Sequence, residues 1–242
     1  FTGLLRANGT DIIWLADEDD GLADSVFTYD PSFVVPDGAI LLQPGKVKRR
    51  GEVQLHQRLY ESLEVPIIGK IELPGTAEGG DCFWLDASTI AIGRGFRTNT
   101  AGIDQLSDLL AAVGIQVAVF DLPYYKGPDA CLHLMSLVSS LDEDLALVYD
   151  PLLPAGLKSL MTGMGYKLLE VPEKEFESSG GLCLNVLATA PRRVIMVEGF
   201  SETTQLLREA GCEVSLFRGD ELCIPCEGGP TCLTRPLLRE QP

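Results

Sequence analysis

Four segments of the chain share one plan, and that repetition limits the fold more than any single residue does. Each runs through a short β-type stretch, a loop broken by Gly or Pro, an amphipathic helix and a second β-type stretch. The first uses 39–42, a helix near 52–62 and 65–68. The second uses 89–92, a helix near 102–113 and 116–120; the third 145–148, a helix near 154–164 and 167–171. The fourth uses 194–197, a helix near 202–210 and 213–217. Fifty residues separate Ile40 from Ile90, 55 separate Ile90 from Leu145, and 49 separate Leu145 from Val194. A period near 50 signals stacked or radially arranged units. Gly114, Gly165 and Gly211 fall just past three of the helices, where a left-handed cap is wanted. The stretch 1–7, with Gly9 and a returning strand at 11–15, reads as the back half of a fifth unit. The first repeat is thus expected to be incomplete at the N-terminus.

Charge and thiols narrow the class. The formal net charge of -16 repels phosphate backbones and acidic membranes, and suits a cationic small substrate. No apolar run reaches the roughly 18 residues a membrane span needs. The seven cysteines are odd in number and scattered, which argues for reduced thiols and a cytoplasmic setting. Cys223 and Cys226 have C-x-x-C spacing, but zinc there would need two more ligands; the bland reading is ordinary thiols.

The chemically equipped residues lie between the repeats, in loops rich in Gly, Asp and Pro, including an acidic one over 16–24. Gly228-Gly229-Pro230-Thr231-Cys232 puts a thiol on a loop that a ligand can approach closely, so Cys232 is the candidate nucleophile. Glu78-Gly79-Gly80-Asp81 places two carboxylates around two glycines, a pattern that binds a guanidinium or forms a solvated turn. Asp30 is either a further guanidinium acceptor or an Asp that ends a strand before Pro31. His133, among apolar neighbours, is a core histidine or the general acid/base. His56 is expected on a helix surface. Arg49 and Arg97 are loop arginines, either solvated or able to clamp a carboxylate in bidentate geometry. A substrate with a guanidinium at one end and a carboxylate at the other, such as arginine or a derivative, would use the whole set.

These residues, with the stretches 24–30, 78–81, 93–99, 133–134 and 231–233, resemble in order and spacing the guanidine-modifying superfamily of the pentein fold. That superfamily contains dimethylarginine dimethylaminohydrolase, arginine deiminase and the amidinotransferases. The resemblance covers essentially the whole chain. It implies an α/β class, a five-bladed α/β-propeller of repeated β-loop-α-β units about a pseudo-fivefold axis, with residues 1–242 as one catalytic domain. It implies Cys232 as nucleophile and His133 as general acid/base. Asp30 and Glu78 then bind the guanidinium, with Asp81 kept as a substrate-binding candidate from the paired-carboxylate pattern, and Arg49 and Arg97 bind the amino-acid end. It implies no cofactor, no metal, no nucleic-acid or membrane partner, and it admits a homodimer.

Two departures bear on the substrate. Deiminases and amidinotransferases carry His-x-Asp, where this chain has Met135. Losing that carboxylate leaves room and apolar surface beside the guanidinium, which favours N-methylated arginine. Tyr29 stands where methylarginine hydrolases often have an acidic residue. The alternatives are an arginine deiminase or dihydrolase, and a catalytically inert pentein of the kind that contacts the ribosome. The acidity and the joint presence of Cys232, His133, Glu78 and Asp30 argue against the last.

Overall fold

A computed structural model describes residues 1–15, 21–128, 130 and 132–238. The acidic loop expected over 16–24 falls largely outside the described residues, as does Cys131. In chain order the elements are α1 (Thr2–Ala7), β1 (Ser32–Val35), β2 (Gly38–Leu41), α2 (Glu52–Ser62), β3 (Ile67–Lys70), β4 (Cys82–Asp86) and β5 (Thr89–Arg94). There follow α3 (Thr100–Ala112), β6 (Gln116–Asp121), β7 (Val138–Ser140), β8 (Leu145–Val148), α4 (Ala155–Gly163) and β9 (Lys167–Glu170). The series ends with α5 (Glu173–Ser179), β10 (Leu187–Ala190), β11 (Arg193–Val197), α6 (Ser201–Glu209) and β12 (Glu213–Phe217).

The chain divides into two compact units. One comprises Trp14–Leu134 and the chain from Leu233 onward; the other comprises Phe1–Ile13 and Met135–Cys232. The first holds the sheets β1-β2-β3 and β4-β5-β6, the second β7-β8-β9 and β10-β11-β12. Every sheet is built alike. The middle strand pairs antiparallel with the strand before it and parallel with the strand after it, and a helix makes the parallel crossover. The middle strands are continuous apolar runs buried almost throughout, as a strand covered on both faces must be.

The repeat expected from sequence is therefore present, with one strand more per unit. The opening strands β1, β4, β7 and β10 are three to five residues long and carry Ser, Thr or Asp. β7 and β10 lack the apolar run that marks their neighbours, whereas β1 and β4 carry short ones, at 33–35 and 82–85. The helix α5 was likewise not legible in the pattern. The strand expected at 11–15 is not formed among the described residues, and Ile13 and Trp14 are exposed. Gly114, Gly165 and Gly211 have φ of 78°, 91° and 88°, the left-handed geometry expected after α3, α4 and α6.

In the first unit, Phe33, Ile40, Leu42, Ile90, Ile92, Leu106 and Leu110 share one core, which joins both sheets to α3. Asn99 caps α3 by accepting from the Gly102 amide at 2.8 Å, and it also accepts from the Thr76 amide at 3.0 Å. One polar side chain thus fixes the helix start and the loop that runs into Glu78. In the other unit, Leu5, Leu187 and Ile195 pack with Phe1, Leu4, Ile12 and Phe217.

Candidate active site

Six of the candidate groups, Asp30, Arg49, Glu78, Asp81, Arg97 and His133, lie within the first unit. Asp30 precedes β1, Glu78 and Asp81 precede β4, and Arg97 lies on the loop between β5 and α3. The backbone makes the first link. The Gly79 amide donates to the Asp30 carbonyl at 3.0 Å and the Gly80 amide to Asp30 Oδ1 at 2.9 Å. Glycine is required here for close approach. A Cβ on Gly79 would strike the Tyr29 carbonyl and Arg235 Nη2, and one on Gly80 would lie 2.6 Å from His133 Nδ1.

His133 Nε2 is 2.6 Å from Glu78 Oε2 and 4.0 Å from Asp30 Oδ1. Arg97 Nη1 reaches the same Glu78 oxygen at 3.5 Å, and the Lys46 amide donates to Glu78 Oε1 at 3.2 Å. Glu78 is fully buried. Burial alone would raise its carboxyl, but the hydrogen bond and charge of His133 and the charge of Arg97 outweigh it and hold the group well below the usual carboxylate range. Glu78 is therefore an ionised carboxylate at neutral pH, suited to a cation. The donor atoms of Asp30, Glu78 and His133 lie within 4.8 Å of one another, a separation over which a metal ion or a planar organic cation could be shared.

Asp81 faces the scaffold. Its Oδ1 accepts from the Leu134 amide at 2.9 Å and its Oδ2 from the Thr98 hydroxyl at 2.6 Å. The Thr98 hydroxyl in turn accepts from the Glu78 amide at 3.1 Å. Asp81 thus ties the residue after His133 to the backbone of Glu78. Burial pushes its carboxyl up to about 6. Arg49 is also engaged internally. It donates to Asp30 at 2.5 Å, to the Phe27 carbonyl at 2.8 Å and to both oxygens of Glu52 at 2.8 to 3.1 Å. Burial works against its charge, but Asp30 and Glu52 more than restore it and raise the guanidinium pKa further.

One residue here was missed from sequence and one was misplaced. The Arg235 guanidinium lies 3.8 Å from the centre of the Tyr29 ring and donates to the Tyr29 carbonyl, next to Asp30. No pattern marked it, because Arg235 and Tyr29 are 206 residues apart. His56 is a correction. It is 2% exposed rather than on the surface, with Nδ1 2.9 Å from the Ser32 hydroxyl, which also meets the Tyr60 hydroxyl at 2.6 Å. Nε2 has no partner among the described residues. Burial and the nearby Arg235 and Arg49 charges lower its pKa to about 3. Its helix presents an inward stripe at 53, 56 and 60, and His56 falls on that stripe.

Cys232 belongs to the other unit. It is half-buried, and Asn185 Nδ2 donates to its sulfur at 3.0 Å. Asn185 Oδ1 accepts from the Thr231 amide at 3.0 Å, and the Thr231 hydroxyl donates to the Val186 carbonyl at 3.2 Å. A Cβ on Gly229 would come within 2.5 Å of Asn185 Cγ. Asn185 was also missed. A signal existed: it sits just before β10, as Asp30 sits just before β1. Cys223 is buried and Cys226 exposed. None of the helices described is long and apolar enough to cross a membrane.

Relatives of the chain with a stated activity include dimethylarginine dimethylaminohydrolases and arginine deiminases. A family model described as arginine deiminase matches residues 19–166. A dimethylarginine dimethylaminohydrolase of Streptomyces coelicolor is 31% identical over 92% of this chain and 80% of its own length. An arginine deiminase of Listeria welshimeri is 27% identical over 91% of this chain and 63% of its own length. Among solved structures, a Cys-to-Ser mutant of the Pseudomonas aeruginosa dimethylarginine dimethylaminohydrolase, complexed with citrulline, superposes with a TM-score of 0.79 at 25% identity. That match covers 96% of this chain and 83% of the other.

Proposed function

Since the chain belongs to the arginine deiminase family, we propose that it is a cysteine-dependent hydrolase of a guanidino substrate, cutting a C–N bond of the amidine. The observation that carries this is the buried trio of Asp30, Glu78 and His133, an anionic cradle with one titratable base. We take N-methylated arginine as the substrate and the pentein propeller, with its fivefold plan and residues 1–242 as one catalytic domain, as the architecture. The four sheets of one design support that plan, and α1 stands where the back half of a fifth repeat was expected.

In this reading Glu78 and Asp30 hold the guanidinium, and its positive charge favours the Cys232 thiolate. The sulfur lone pair attacks the central carbon, and the C–N bond to the departing amine breaks as His133 supplies the proton. An S-alkylthiouronium remains. His133 then takes a proton from water, the water oxygen bonds to the carbon, and the thiolate leaves. Dimethylarginine gives citrulline and dimethylamine; arginine would give citrulline and ammonia. Arg97 is read as the binder of the substrate's carboxylate end, although in the structure it pairs with Glu78. Arg49 serves binding by fixing Asp30, and Asp81 by fixing Thr98 and Leu134.

The choice of a methylated substrate rests on Met135, the apolar residue where the deiminases carry Asp. An arginine deiminase or dihydrolase is the second reading, favoured by the family model itself. Rapid acid quenching with asymmetric dimethylarginine, followed by mass spectrometry of the Cys232 peptide, tests the proposal. The expected result is a thiouronium adduct that forms before citrulline. Citrulline production with Cys232 unmodified at every time point would overturn it.

A further inference from the structure

The geometry around Cys232 assigns Asn185 as a further catalytic residue. Its amide N–H holds the sulfur in one position and stabilises the negative charge on it, both before attack and when the thiolate leaves. The assignment rests on the reading of Cys232 as nucleophile.

The orientation of the amide is fixed by its other end. Oδ1 must face the Thr231 backbone N–H at 3.0 Å, because a backbone amide can only donate. That leaves Nδ2, a donor, facing Cys232 Sγ at 3.0 Å. Gly229 closes the clamp from the side, since a Cβ there would collide with Asn185 Cγ and Oδ1 at 2.5 and 2.6 Å. Asn185 itself follows a 3-10 turn at Leu182–Leu184 whose residues are buried, so the amide stands on a packed base. A donor pre-set against sulfur favours thiolate over thiol. The same bond weakens as the S–C bond forms and the charge leaves the sulfur. It re-forms when water displaces the sulfur and the electron pair returns to it.

The protein carries its own control. Cys226 is an exposed free thiol outside the clamp. Iodoacetamide labelling at neutral pH, read by peptide mass spectrometry, gives the Cys232-to-Cys226 rate ratio in a single sample. Losing a charge-assisted hydrogen bond removes about tenfold of the thiolate, offset about threefold by the greater nucleophilicity of a more basic sulfur. Asn185→Ala is therefore expected to lower the ratio about threefold. Asn185→Asp keeps the acceptor for Thr231 and sets a carboxylate against the sulfur, so its ratio should fall further. In citrulline release both variants should lower kcat while KM stays within about twofold, since the amide reaches the sulfur and not the substrate. A ratio unchanged in Asn185→Asp overturns the assignment, as does a loss seen only in KM. A protein that releases no citrulline from any guanidino substrate, yet shows the Asn185-dependent ratio, would overturn the substrate reading and leave the role of the amide standing.

Discussion

The cluster around Glu78 and the loop around Cys232 solve opposite electrostatic problems. The first gathers Asp30, Glu78, His133, Arg49, Glu52 and Arg97 as buried or nearly buried ionisable groups, and nearly all are tied to one another. The second holds its one reactive atom with a neutral amide and a glycine. Binding a cation calls for fixed anions whose partners prevent collapse. Readying a nucleophile calls for a donor that favours the charge without locking it in a salt bridge. One region is held chiefly by charge, the other by hydrogen bonds that include those of Asn185 and Thr231.

The largest effect falls on the loop. Cys232→Ser should abolish turnover with the melting temperature nearly unchanged, because the residue is half-buried and outside the core; enzyme assay and calorimetry on one preparation check this. Next come the two glycines, which separate the regions kinetically. Gly80→Ala displaces His133 and presses on Asp30, so it should lower kcat and raise KM together, each by tenfold or more, while Gly229→Ala displaces Asn185 and should lower kcat with KM within about twofold. The same kinetic signature from both would break the comparison.

Acid stability gives a smaller, signed test. The folded-state pKa of His56 is lowered to about 3, so the unfolded chain takes up its proton first. Stability falls by about 1.4 kcal/mol per pH unit as pH drops from 6.5 towards 3. Asp81 is raised to about 6, so the folded state takes up its proton first, and stability rises with the same slope as pH drops from 6 to 3.8. The two cancel between about pH 6 and 4. His56→Gln should therefore become more stable on acidification over that window, and Asp81→Asn less stable, in denaturant titrations at stepped pH. The smallest effect is expected from Arg235→Lys, which keeps the charge over Tyr29 but loses the fork, at about 1 kcal/mol of stability.

The repeats were legible because the middle strands and helices carry long apolar runs at a constant spacing. β2, β5, β8 and β11 fall where those runs predict. β7 and β10 are too short and too polar to carry a period; β1 and β4 do hold short apolar runs, at 33–35 and 82–85, but the repeat plan began at the strand after each, so none of the four was seen. Among candidate site residues, chemistry identified Asp30, Glu78, His133 and Arg97, and these do meet. It could not tell that Arg49 and Asp81 spend their hydrogen bonds on Glu52, Thr98 and Leu134, since those partners are chosen by the fold. Asn185 and Arg235 escaped for a related reason: a lone Asn or Arg gains meaning only from what it touches.

The most direct measurement is citrulline release from asymmetric dimethylarginine, monomethylarginine and arginine, side by side. The account predicts citrulline chiefly from the methylated substrates, and none from the Cys232→Ser protein. Citrulline from none of the three, or equal release by the Cys232→Ser protein, would contradict it.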